Sequence, residues 1–218
     1  MSEIVSRIFD TLIGWNWSAI IQALVSIWIA IVATLALWTW KHQSKAQRQT
    51  DFLDTLTDSV HDFIILMAAP IAFVKFTKMA IKCHVDPAQV DTRLSTPGAI
   101  AYIERKGKDA SKQLGELLDN IRPVLSKIRT LVAKGQVLGF RNYNECRDSC
   151  YLITWQYDRI QAFSQVIGET TLYWENPEVK ETVDKVLSIE AEDIEIYLQE
   201  QNIKLLEFVR TNYGAILG

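Results

Sequence analysis

Residues 17–40 read WSAIIQALVSIWIAIVATLALWTW, twenty-four positions without a charged side chain. A helix of that length and character suffices to cross the hydrocarbon core of a bilayer. Trp15 and Trp17 stand at one end and Trp38 and Trp40 at the other. At the α-helical rise, Trp17 and Trp38 lie about 31 Å apart, the separation of the two aromatic belts of a membrane. A cleaved signal peptide needs a shorter apolar run, a basic start and a small-residue cleavage site. Here the run is longer, Arg7 is offset by Glu3 and Asp10, and tryptophans occupy the far flank. The stretch is therefore expected to be a lasting transmembrane helix.

Outward from this stretch, Lys41, Lys45 and Arg48 follow before any acid, while the N-terminal flank offers Arg7 alone. Basic residues close to a span stay on the cytoplasmic side, so these three and the flanking tryptophans are the expected membrane-interface anchors. The expected organisation is a short non-cytoplasmic segment over 1–16, a transmembrane helix over 17–40, and a cytoplasmic helical domain over 41–218. The location is then a cell inner membrane or plasma membrane, crossed once. An outer segment of sixteen residues is too short to fold into a receptor module.

Within the span, Ala19, Ala23, Ser26, Ala30, Ala33 and Leu37 step by three and four and share a face. Lipid supplies no hydrophobic drive for helices to associate, so small side chains that let backbones approach are a usual means. Gln22, beside the stripe, is placed to hydrogen-bond across it. This face is the candidate site of self-association, and the expected partners are membrane lipid, further copies of the chain and a cytoplasmic protein.

Beyond the span, four segments carry helical periodicity. Leu53, Leu56, Val60, Phe63, Met67 and Val74 line the first, with a kink expected at Pro70. The apolar run from Phe63 to Val74 is too short for a second span, so it reads as a core helix. Ser95-Thr96-Pro97 supplies a cap and first turn for the second helix, which is expected to bend at Pro123 and stop at Gly135. Its stripe is Ile100, Ile103, Ala110, Leu114, Leu117, Ile121, Val124, Ile128 and Leu131. The third is expected from about Phe140 to Glu175, with Cys146, Cys150, Ile153, Tyr157, Ile160 and Ile167 inward. Asn176-Pro177 opens the fourth, which carries Val183, Leu187, Ala191, Ile194, Leu198, Leu205 and Phe208 to a stop near Gly214.

Four helices of roughly 36 to 38 residues, about 55 Å each, with two short connections, predict an all-α up-and-down bundle. In that topology the 135–140 connection and the 213–218 tail return to the membrane side. Val137, Leu138, Phe140, Ile216 and Leu217 are then expected to touch the interface or a neighbouring subunit.

Composition removes several classes of function. A net charge of -3 gives no overall pull toward nucleic acid. Charge is uneven, however: 104–134 holds eight Lys/Arg against four Asp/Glu, and 175–200 holds nine Asp/Glu against two lysines. These read either as two solvated faces or as complementary surfaces that order helices. The three cysteines form no disulfide framework, and Cys146 with Cys150 lacks the further ligands of a zinc site. His61 and Asp62 point about 100° apart on a helix, which is poor geometry for a dyad. No phosphate-binding glycine loop, nucleophile elbow or His-Glu-x-x-His occurs. No catalytic residue, cofactor, metal, specific nucleic acid or small molecule is implied.

Arg141-Asn142 resembles the opening of the Arg-Asn…His motif of HEPN-type ribonucleases, but residues 144–148 contain no histidine and the last in the chain is His84. That resemblance implies a diverged nuclease bundle without its histidine. The leading expectation is instead a non-enzymatic, self-associating scaffold or membrane-perturbing, pore-like effector. Its layout is similar to that of small anchored helical proteins among bacterial antiviral effectors, an analogy of architecture alone. The remaining alternative is a monomeric, membrane-tethered cytoplasmic binding adaptor.

Overall fold

The first helix, α1 (Trp17–Cys83), runs without interruption from the apolar stretch through the first amphipathic segment. The structure, a computed structural model, describes residues 17–83, 96–174 and 176–217. Its contacts divide the chain into two units, 1–48 and 49–218. In the first unit, every side chain described from Ile21 to Lys41 is exposed. In the second, α1 acquires a buried stripe of Leu53, Leu56, Val60, Phe63, Met67, Ile71, Val74 and Ile81. Pro70 is buried and does not end the helix.

After α1 come α2 (Thr96–Tyr102), a π-helical turn (Ile103–Gly107), α3 (Lys108–Asp119), α4 (Arg122–Gly135), α5 (Tyr143–Gly168), α6 (Pro177–Leu187) and α7 (Ala191–Leu217). The second unit is all helical, and no strand occurs among the described residues. Side-chain contacts fix the directions. Asp54 meets Tyr213 and Lys75 meets Glu192, so α1 and α7 run antiparallel. Asn212 bonds to Arg141, so α7 and α5 do too. Ser111 meets Ser164 while Val132 meets Tyr143, which sets α3 and α4 against the course of α5. The buried apolar residues of all these elements join in one core.

The helices are less uniform than the periodicity predicts. The second is broken twice. Its π-helical turn adds a residue to one turn, which leaves Glu104, Arg105 and Lys106 exposed and brings Gly107 inward. A Cβ on Gly107 would collide with the carbonyl oxygen of Ile167, so glycine permits this close crossing. The second break falls at residues 120–121, just before Pro123. That proline occupies the first turn of α4, where its missing N–H costs nothing, so the helix restarts rather than bends.

The third helix is shorter at both ends than the expected 140–175. Gly139 and Asn142 take left-handed backbone, φ 72° and 54°, and turn the chain into α5. Phe140 then lies 5.1 Å from the Phe52 ring and 5.8 Å from that of Phe208. At the other end the backbone becomes extended at Glu169, whose carboxylate accepts hydrogen bonds from the Thr171 N–H and hydroxyl. The fourth does start at Asn176-Pro177, the Asn176 side chain accepting the Glu178 N–H at 2.9 Å. It too is split, into α6 and α7. Lys78 of α1, only 3% exposed, donates to the Ile189 carbonyl at 2.8 Å and pairs with Glu190, holding the chain between the two helices.

Candidate membrane-association site

An α-helix satisfies its own backbone hydrogen bonds, so the fate of an isolated apolar helix is decided by its side chains. Along Ile21–Trp40 these are apolar and exposed all round: Trp28 is 66% exposed, Leu37 67% and Trp40 67%. Among the described residues this is the one helix long and apolar enough to cross a membrane. Its few hydroxyls are satisfied within the helix. Ser26 donates to the Gln22 carbonyl, Thr34 to that of Ala30 and Thr39 to that of Leu35. This back-bonding removes the cost of placing a hydroxyl in an apolar medium.

On the small-residue stripe, Gln22, Ala23, Ser26, Ala30, Ala33 and Leu37 are all exposed. The side chain of Ala19 lies outside the described residues. Of the flanking anchors, Trp15 and the side chain of Trp17 also lie outside them. At the other flank Trp38 packs edge-on to His42, 4.3 Å between ring centres, and Trp40, Lys41, Lys45 and Arg48 are exposed.

The apolar connection and tail divide. Val137 is 85% exposed, whereas Leu138, Phe140 and Ile216 pack against the core of their own unit. The Leu138 carbonyl also accepts a bond from the Gln49 amide at 2.8 Å. The side chain of Leu217 lies outside the described residues.

The two charge-biased stretches do not meet in any ion pair among the described residues. Glu190 and Glu192 pair with Lys78 and Lys75 of α1, and Arg129 pairs with Asp158 of α5 at 3.1 Å. Cys146 and Cys150 are buried, whereas Cys83 is exposed at the end of α1. The Cys146 thiol, through a hydrogen bond, and then burial push the Cys150 thiol well above its ordinary range. No three His, Cys, Asp or Glu among the described residues cluster so as to hold a metal.

Periodicity did not disclose two further features. One is the buried Lys78. The other is a polar cleft between α5 and α7, lined by Arg141, Glu145, Ser149, Gln201, Lys204 and Glu207 among others. Arg141-Asn142, singled out above for its likeness to a ribonuclease motif, lies at this cleft. Helical spacing places such residues on a face, but not opposite one another. Comparison of the chain with protein families, with characterised proteins and with solved structures gives no match.

Proposed function

We propose that the protein is a single-pass membrane protein whose copies associate through the small-residue face of the span, with residues 41–218 on the cytoplasmic side as an assembly scaffold or membrane-perturbing effector. The observation that carries this reading is the run Ile21–Trp40, whose described side chains are apolar in the main and exposed throughout. Water does not tolerate a twenty-residue helix apolar on every side; lipid does. Once in lipid, close packing along Ala23, Ser26, Ala30 and Ala33 supplies the attraction between copies. Lys41, Lys45 and Arg48 support the orientation by the charge bias of membrane insertion.

The test is the oligomeric state of the full chain in native-like membrane discs. The wild-type chain is expected to be oligomeric, and Ala23→Leu with Ala30→Leu to shift it to monomer by blocking close approach. A monomeric wild type, or an oligomer indifferent to both leucines, overturns self-association. Orientation has its own test in Cys83, which is exposed. A membrane-impermeant maleimide added to intact cells should spare Cys83 until the membrane is opened, and labelling before that step rules out a cytoplasmic domain.

A further inference from the structure

Two contacts set the register of α1 against α7. Asp54 meets Tyr213 and Lys75 meets Glu192, and these contacts stand twenty-one residues apart on each helix. Between them the helices therefore run in step. Ile65 comes level with Ile203, Ala72 with Ile196 and Asp58 with Arg210, each within one residue.

Helical spacing then fixes the side these residues take. On α1, steps of three and four lead from Asp54 through Asp58, Ile65, Ala68 and Ala72 to Lys75, with His61 also on the path. On α7, the same steps lead from Glu192 through Ile196, Ile203, Leu206 and Arg210 to Tyr213, with Gln199 also on the path. Residues so spaced share a face of their helix. The ends of each stripe touch the other helix, so the two stripes lie side by side along the groove between α1 and α7. All their members are exposed except Tyr213, which is half-buried. Ile65 is 58% exposed, Ile196 53% and Ile203 57%.

This surface is apolar in the middle and charged at both ends. Single exposed apolar side chains are ordinary, but a joined patch on two helices marks an interaction site. At one end Asp58 and Arg210 are level, and neither takes part in an ion pair among the described residues. At the other end Lys75 is bonded to Glu192.

A second copy of the chain fits this pattern. A two-fold axis laid along the groove sets α1 of one copy on α7 of the other with every level unchanged. Ile65 then meets Ile203 of the second copy, and the small Ala72 leaves room for its Ile196. Asp58 faces its Arg210. The levels brought together are those that Lys75 and Glu192 already join within one copy, so the contact repeats a pairing the fold itself uses. Each helix is antiparallel to the one it meets, as in an up-and-down four-helix bundle. The stripes extend about 31 Å, and two helices about 10 Å wide offer on the order of 600 Å² per copy, somewhat less than the roughly 800 Å² of a standard stable interface.

We propose that this α1/α7 face is a second interface between copies of the chain, with α1 of each copy seated on α7 of the other. It rests on the self-association proposed above, because an area of this size joins copies only weakly until another contact holds them close.

The test uses the full chain in native-like membrane discs, with Cys83→Ser so that only the buried native cysteines remain. Ile65→Cys and Ile203→Cys chains with different tags are mixed before reconstitution and mildly oxidised. A disulfide joining the unlike tags is expected, at several times the yield given by Ile65→Cys chains alone. Ile196→Glu, at an exposed site, should leave the melting temperature unchanged but cut that yield about tenfold, because it places a charge in a closed apolar contact. Three results in an oligomeric chain overturn this interface and leave that of the span standing. They are no disulfide between unlike tags, a higher yield from Ile65→Cys chains alone, and a yield indifferent to Ile196→Glu. A chain that is monomeric overturns both.

Discussion

Two stretches of α1 share a backbone and differ in everything their side chains meet. Between Ile21 and Trp40 the helix is apolar on all sides and exposed on all sides. Between Leu53 and Ile81 it buries one stripe completely and leaves Ile65, Phe76 and Met79 on the other side exposed. Secondary structure is thus uninformative about environment, whereas the angular distribution of apolar residues is decisive. A stripe requires a protein core on one side; a full circumference requires a surrounding apolar medium.

The comparison is broken most severely by removing what fills the stripe. Phe63→Ala empties a fully buried site and is expected to cost about 3–5 kcal/mol in denaturant unfolding. Phe76→Ala, at a site 66% exposed, should stay within about 0.5 kcal/mol. If the two cost the same, the assignment of faces in 53–81 is wrong.

Next in size is the crossing of the π-helical turn and α5. Gly107→Ala places a methyl group against the Ile167 carbonyl, which as backbone has little room to yield. A loss of about 1–3 kcal/mol is expected. An unchanged melting temperature would show that the crossing is looser than described.

Lys78→Met keeps most of the side chain's volume but removes the bonds to Ile189 and Glu190. Stability should fall by about 1–3 kcal/mol through the unpaired carbonyl. Hydrogen exchange should also rise locally at residues 188–190. Exchange that stays unchanged there would mean the break between α6 and α7 has another cause.

The smallest effect concerns Tyr213, whose phenol is hydrogen-bonded to Asp54 and pushed up to about 12 by that bond, with burial and the nearby Asp51 and Asp58 adding to it. A group with a raised folded pKa contributes stability below its unfolded value of 10.0 and loses it as pH rises toward about 12. Wild type should therefore lose more stability than Tyr213→Phe between those two values. Parallel alkaline melting curves would show that the bond contributes nothing. Asp54 is exposed and Tyr213 only half-buried, so a small difference is expected.

Most of the fold was legible because burial in helices imposes a period. The α1 stripe from Leu53 to Val74 and the α7 stripe from Ala191 to Phe208 are buried as spaced. In the second helix the phase drifts. Ile100, Leu117 and Val124 are half-buried while Ala99, Leu118 and Leu125 take the inward positions. The π-helical turn, which no residue type announces, belongs to this same helix. The candidate span was legible for a simpler reason, since it needs no partner in the chain to be recognised. The cleft was not, because its floor joins Ser149 on one helix to Gln201 on another.

What the sequence determined by itself was local: an uncharged apolar run, the periods of the stripes, and the Asn176-Pro177 start. Each depends on residues within a few turns of one another. Beyond the break that Pro123 marks, tertiary structure decided where those helices are interrupted. Ser188-Ile189-Glu190 contains neither glycine nor proline, and the chain turns there around a lysine 111 positions away. The π-helical turn likewise forms where Gly107 is brought against Ile167. A helix propagates until a competing contact outweighs its next hydrogen bond, and such contacts come from parts of the chain that no local period contains.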